Sequence, residues 1–230
     1  MAINRLENLK GRHLGKRAVL VGSGPSLNQM DLGFLREEIV IGLNKLFLGF
    51  QKFCFYPKYY VVVNTKVITQ SAEALKRLTC VSFIAKHSEA LVPESGLVYH
   101  IDTIKPYARF CHDISRGVHE GWTVTYAAMQ IAFYLGFSEL VLIGVDHRYQ
   151  FTGRPNEPQR LEGPDPNHFC PDYFGGGQDW DNPDLRRSEE SYQLARQEFE
   201  RDGRRIVDAT VGGACPVFEK ADHKKLFGLS

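Results

Sequence analysis

Apolar residues in this chain gather into short continuous runs instead of alternating with polar ones. Residues 17–21, 39–44, 59–64, 81–85 and 139–146 are each dominated by Val, Ile, Leu and Tyr. Runs of this kind predict strands covered on both faces, as in a parallel sheet. A weaker strand is expected at 97–100 and a last one at 204–210. Between them the apolar spacing turns helical: 32–38 with Asp31 as its cap, 65–78, 122–135 ending at Gly136, and 184–202. Alternating strands and helices predict an α/β fold, a single Rossmann-like domain over 1–230 with a mostly parallel sheet flanked by helices.

From residue 147 to 183 the periodicity stops. The segment fills with Pro, Gly, His, Asp and aromatic residues, including Asn167-His-Phe-Cys-Pro-Asp-Tyr-Phe174. So long a connection is either functional or disordered, and the aromatic content favours a folded lid.

With 28 Lys plus Arg against 27 Asp plus Glu the net charge is +1, which removes the electrostatic case for nucleic acid as the principal partner. Five scattered cysteines without a Cys-x-x-Cys pair read as free thiols in a reducing cytoplasm. No stretch approaches the roughly 20 apolar residues of a membrane span, and the first residues lack a signal-peptide core, so the expected location is cytoplasmic. The basic tail 220–225 leaves peripheral membrane contact open. The apolar stretch 47–56 is either core or an interface for a homo-oligomer.

The first strand runs straight into Gly22-Ser23-Gly24-Pro25-Ser26. Two glycines that present no Cβ, and two hydroxyls, make a turn whose main-chain amides are expected to grip a phosphate. In an open parallel sheet, ligands bind beyond the carboxyl ends of the strands, where strand order reverses. Asn44, Asn64, Asp146 and the 208–213 segment fall at such ends. An asparagine amide suits a base edge or a sugar hydroxyl, although Asn44 and Asn64 also read as ordinary strand-ending turn residues. Thr123 and Thr125 open the 122–135 helix, either as caps or as donors to a ligand.

Asp146-His147-Arg148-Tyr149 sets an acid, an imidazole, a guanidinium and a phenol together, and Asp146 and Arg148 are candidate catalytic residues. In the lid, His168 is the candidate general base, with Asp165 and Asp172 near enough to orient it. Tyr173, Arg154 and Arg160 are candidates to assist a leaving group. His147, His168, Asp165 and Asp172 match no familiar metal-ligand spacing, so no metal is assigned.

These residues carry a resemblance. Val-Gly-Ser-Gly-Pro-Ser-Leu at 21–27, Asn44, Asn64 and Tyr134-Leu-Gly-Phe-Ser-Glu-Leu-Val-Leu-Ile-Gly-Val-Asp146 resemble the MptE-like proteins and flagellar motility accessory factors. They also resemble bacterial sialyltransferases whose Rossmann-like core binds CMP-sialic acid. The resemblance implies a glycosyltransferase that moves a CMP-linked acidic sugar to a cell-surface glycan or protein acceptor. It implies a cytidine nucleotide at Gly22, Ser23, Gly24, Asn44 and Asn64, phosphate near Thr123 and Thr125, and His168 as base, with no cofactor required. The sialyltransferases carry a tyrosine soon after the strand-end Asp, a neighbourhood held here by Arg148 and Tyr149. Two alternatives stand beside this reading: a pterin diphosphokinase using ATP and Mg²⁺, and a catalytically silent nucleotide-binding module.

Overall fold

The apolar runs find cover on both faces of one sheet. The computed structural model describes residues 5–104 and 109–229. Strands β1 (Arg17–Val21), β2 (Val40–Leu43), β3 (Tyr59–Val62), β4 (Val81–Ala85) and β5 (Val98–Ile101) come first. They are followed by a small pair, β6 (Thr103–Ile104) and β7 (Val118–His119), then by β8 (Glu139–Ile143), the hairpin β9 (Pro158–Leu161) and β10 (Gln178–Asp181), and finally β11 (Arg205–Asp208) and β12 (Glu219–Lys220). The main sheet has the order β12-β11-β8-β1-β2-β3-β4-β5, and every pairing in it is parallel. The α/β architecture with a Rossmann-like sheet is therefore observed.

The helices are α1 (Phe50–Phe53), α2 (Thr65–Lys76), α3 (Val124–Leu135), α4 (Leu185–Arg201) and α5 (His223–Phe227). α3 packs on β1, β2 and β3 and is covered by α4, so nearly every one of its side chains is buried. That explains its apolar character all round. α4 buries Ser188, Ser191, Tyr192, Ala195 and Phe199, the 3–4 spacing of an amphipathic helix. Gly136 stops α3 in the left-handed conformation at φ +92, as its sequence position predicts.

Several elements differ from expectation. β8 ends at Ile143 and does not run to 146, because Gly144 turns at φ +69. The 32–38 helix is a 3-10 turn at Gly33–Glu37, and Asp31 Oδ1 accepts from Gly33 N two residues on without filling the cap position. The lid contains the β9–β10 hairpin, and the tail holds β12 and α5. Lys220 of the tail bonds Asp208 at 2.5 Å. In the 47–56 stretch Phe53 and Phe55 are core, while Leu48 and Tyr56 are exposed. No helix among the described residues is long and apolar enough to cross a membrane.

Candidate functional site

β1 is the point where strand order reverses: β2 to β5 lie to one side of it, and β8, β11 and β12 to the other. A cleft of about 480 Å³ opens there, lined by the turn after β1, the ends of β2 and β3, the start of α3 and the lid. This is where an open α/β sheet takes its ligand.

The glycine turn fits this place for a different reason from the one expected. A Cβ on Gly22 would lie 2.3 Å from the Gly144 carbonyl oxygen, and one on Gly24 would lie 1.8 Å from Asp146 Oδ2. The glycines let the turns after β1 and β8 touch. Their amides are spent in doing so: Gly22 N donates to Ile143 O at 2.8 Å, Gly24 N to Gly144 O at 2.9 Å and Ser26 N to Asp146 Oδ1 at 2.9 Å. Pro25 has no N–H. The expectation of a phosphate gripped by these amides is thus corrected; only the Ser23 amide makes none of these bonds.

The same contacts move Asp146 out of the cleft. Its Oδ2 accepts from Ser26 Oγ at 2.6 Å, so the carboxylate holds the turn together. Burial raises its pKa, outweighing those Ser26 bonds. Arg148 is exposed beside Gly212, and Pro25, Ser26, Asp146 and Arg148 are absent from the cleft wall. The 208–213 segment is also elsewhere, with Asp208 buried against Lys220 and Thr210 N. Arg154 is exposed, and Arg160 pairs with Glu162 and Asp179.

Gly22, Ser23, Gly24, Asn44, Asn64, Thr123, Thr125, His168 and Tyr173 do line the cleft. His168 Nδ1 meets Asp165 Oδ2 at 2.8 Å, and its ring lies flat on Tyr173 at 3.9 Å with Phe174 edge-on at 5.3 Å. Asp165 is buried, which by itself raises its pKa. Hydrogen bonds and charge from His168, with the amides of Asn167 and Phe174, more than offset this and hold it below the ordinary carboxylate value. Nε2 is then the imidazole nitrogen left for a ligand. Asp172 stays on the surface.

Tyr173 is buried wall: its hydroxyl donates to Ser23 Oγ at 3.1 Å and accepts from Lys45 N at 3.2 Å. The cleft-lining phenol after the strand end is Tyr149, pushed up to about 12 by burial and by the charges of Asp146 and Asp165. The lid docks on the turn through Phe169 N to Ser23 O at 3.0 Å and Asn28 Nδ2 to Phe169 O at 2.9 Å.

The two asparagines differ. Asn64 Oδ1 caps α2 by accepting from Val67 N at 3.0 Å, so its NH₂ is left to donate. Asn44, at φ +48, has a buried Oδ1 without a partner. Thr123 caps α3 through Thr125 N at 3.3 Å and meets Tyr192 Oη at 3.4 Å.

Of the strand-end cluster read in the sequence, His147 also reaches the wall, together with residues not singled out there. His147, at φ +52, pairs its Nε2 with Glu189 Oε1 of α4 at 2.9 Å. Lys66 pairs with Asp181 at 2.5 Å, and Trp122, Asn182 and Asp184 also face the cleft. Behind the wall, Lys45 is buried with Nζ bonded to Gln70 Oε1, Tyr173 O and Gln178 Oε1 at 2.7–2.8 Å, and burial pulls it down to about 8. Among the described residues no group of three or more His, Cys, Asp or Glu side chains is placed to hold a metal.

Comparison with known proteins agrees with this architecture. The solved structure of the MAf glycosyltransferase from Magnetospirillum magneticum AMB-1 superposes with a TM-score of 0.57 at 15% identity. The likeness covers 95% of this chain and 37% of that one, so this chain spans well under half of that protein, and at such identity it establishes the fold. No curated protein matches the chain. The sequence profile of a family described as 6-hydroxymethylpterin diphosphokinase MptE-like matches residues 1–152, from the amino end through β8 and Tyr149 but short of the Asp165–His168 pair. With most of its length matched, the chain belongs to the MptE-like family.

Proposed function

We propose that this protein is a glycosyltransferase that moves an acidic sugar from a CMP-linked donor to a hydroxyl of a glycan or protein acceptor. The observation that carries the reading is His168 in the wall of the strand-end cleft, backed by the buried Asp165, with Nε2 unengaged.

In this reading the acceptor O–H gives its proton to His168 Nε2 while its oxygen bonds to the anomeric carbon of the donor sugar. The bond from that carbon to the phosphate oxygen breaks, and CMP leaves with the electron pair. Asp165 fixes the imidazole with Nδ1 as its N–H, and stabilises the imidazolium that forms. Tyr149, a phenol protonated at neutral pH and held so further into the alkaline range by burial, donates to the departing phosphate. Asn44 Oδ1 and the Asn64 NH₂ offer an acceptor and a donor to the cytosine edge or ribose. Ser23 Oγ and the hydroxyls at the amino end of α3 face the donor's anionic groups, where the helix dipole favours negative charge.

One observation favours a second reading. The family's description names a diphosphokinase, which predicts Mg²⁺-dependent ATP binding and release of AMP. Calorimetric titration of the protein with CMP, ATP and UDP separates the two. Preference for CMP supports the transferase; preference for ATP with Mg²⁺, or no binding of CMP, overturns it.

A further inference from the structure

Gly121 and Trp122, immediately before α3, both lie in the left-handed region, at φ +53 and +68. A Cβ at residue 121 would meet the Tyr126 ring at 2.1 Å, so glycine is required there. A bulky indole at positive φ stores backbone strain of a kind that collects at binding sites. The indole lines the cleft, and the Arg187 guanidinium stacks over it at 4.3 Å from the ring centre.

The wall continues from that stack without a break. Arg187 Nε is 3.6 Å from Asp184 Oδ2, which accepts from Asn156 Nδ2 at 3.2 Å, and Asn156 N in turn donates to Asn182 O at 2.9 Å. Asn182 is 1% exposed. Both hydrogens of its Nδ2 are spent, on Thr152 O at 2.7 Å and Arg154 O at 3.0 Å. Those two carbonyls fix which way the amide points. Its Oδ1 is left buried and without a partner, a deficit that a ligand hydroxyl would cancel.

We infer that Trp122, Asn156, Asn182 and Asp184 form a subsite for a neutral pyranose. A flat indole suits the C–H face of a sugar ring, while amide and carboxylate oxygens accept its hydroxyls. Among the described residues, Arg187 is spent on the indole and Asp184, and Lys66 is spent on Asp181, so these offer no unengaged cation for an anionic sugar. In taking this sugar as the acceptor, the inference rests on the glycosyltransferase reading above.

The test uses methyl glycosides of glucose, galactose and glucuronic acid, followed by saturation-transfer NMR and tryptophan fluorescence, with and without CMP. The neutral glycosides are expected to bind, with saturation on their ring C–H protons, and the glucuronide to bind about tenfold more weakly. Trp122→Gly, which relieves the φ of that position, is expected to keep the Tm and the CMP affinity while weakening glycoside binding by about tenfold or more. Asp184→Asn, which preserves the α4 cap, is expected to weaken it severalfold. No binding of the neutral glycosides, preference for the glucuronide, or binding indifferent to Trp122→Gly overturns the subsite. Glycoside binding through Trp122 in a protein that ignores CMP upholds the subsite and refutes the transferase reading instead.

Discussion

Asp165 Oδ2 lies 2.8 Å from His168 Nδ1, one turn of chain apart within the lid, and the imidazole is sandwiched against the buried ring of Tyr173. A buried carboxylate that also accepts the amides of Asn167 and Phe174 has one fixed position, and it fixes the histidine with it. Asp165→Asn keeps the shape and removes the charge. Transfer turnover is expected to fall by about 10²–10⁴-fold, the usual contribution of a positioned acid–base group, with CMP affinity unchanged by titration. Unaltered turnover would take His168 out of the reaction.

Asn44 is expected to act through its side chain alone. Asn44→Gly accommodates φ +48 and removes the unpartnered Oδ1, so CMP affinity is expected to drop by roughly 5- to 100-fold, the worth of one buried hydrogen bond, without loss of thermal stability. Equal CMP affinity in the variant would place the nucleotide elsewhere.

Asp146 is expected to be a stability residue. Asp146→Ala leaves the amide and hydroxyl of buried Ser26 without their acceptor, at a cost on the order of 3 kcal/mol. Chemical denaturation reads that loss, and turnover measured well below the Tm is expected to stay within about tenfold of wild type. A collapse of turnover without destabilisation would return Asp146 to the chemistry.

Lys45 ties the lid to α2 through three oxygen acceptors, and burial lowers its pKa from 10.5 to about 8. Between those two values the unfolded chain holds a proton that the folded chain has released. Raising the pH through that window therefore stabilises the wild type relative to Lys45→Met, by on the order of 3 kcal/mol over the whole range. Denaturation of the pair at pH 7.5, 9 and 10.5 checks the sign; a constant difference would mean that Lys45 titrates normally.

What could be read in the sequence follows physical reach. Strands covered on both faces must be apolar throughout, so β1, β2, β3, β4 and β8 were legible, as were the Gly136 stop and the Asp184 start of α4. Asp165 and His168 are three residues apart, and a local pair can be seen without the fold. The glycine turn misled, because the acceptors of its amides, Ile143, Gly144 and Asp146, are about 120 residues away and approach only when β8 lies beside β1. Lys45 follows a strand-end asparagine, an ordinary surface place for a lysine until the lid closes over it. Trp122, Asn182 and Tyr192 become wall residues only once the lid and α4 are in position.

The most direct test is a crystal structure of the protein soaked with CMP. The expected result is a cytosine ring held by Asn44 or Asn64, with its phosphate in the cleft between Ser23, Tyr149 and the start of α3. A cleft that stays empty under CMP but fills with ATP and Mg²⁺, or a nucleotide bound away from His168, would contradict it.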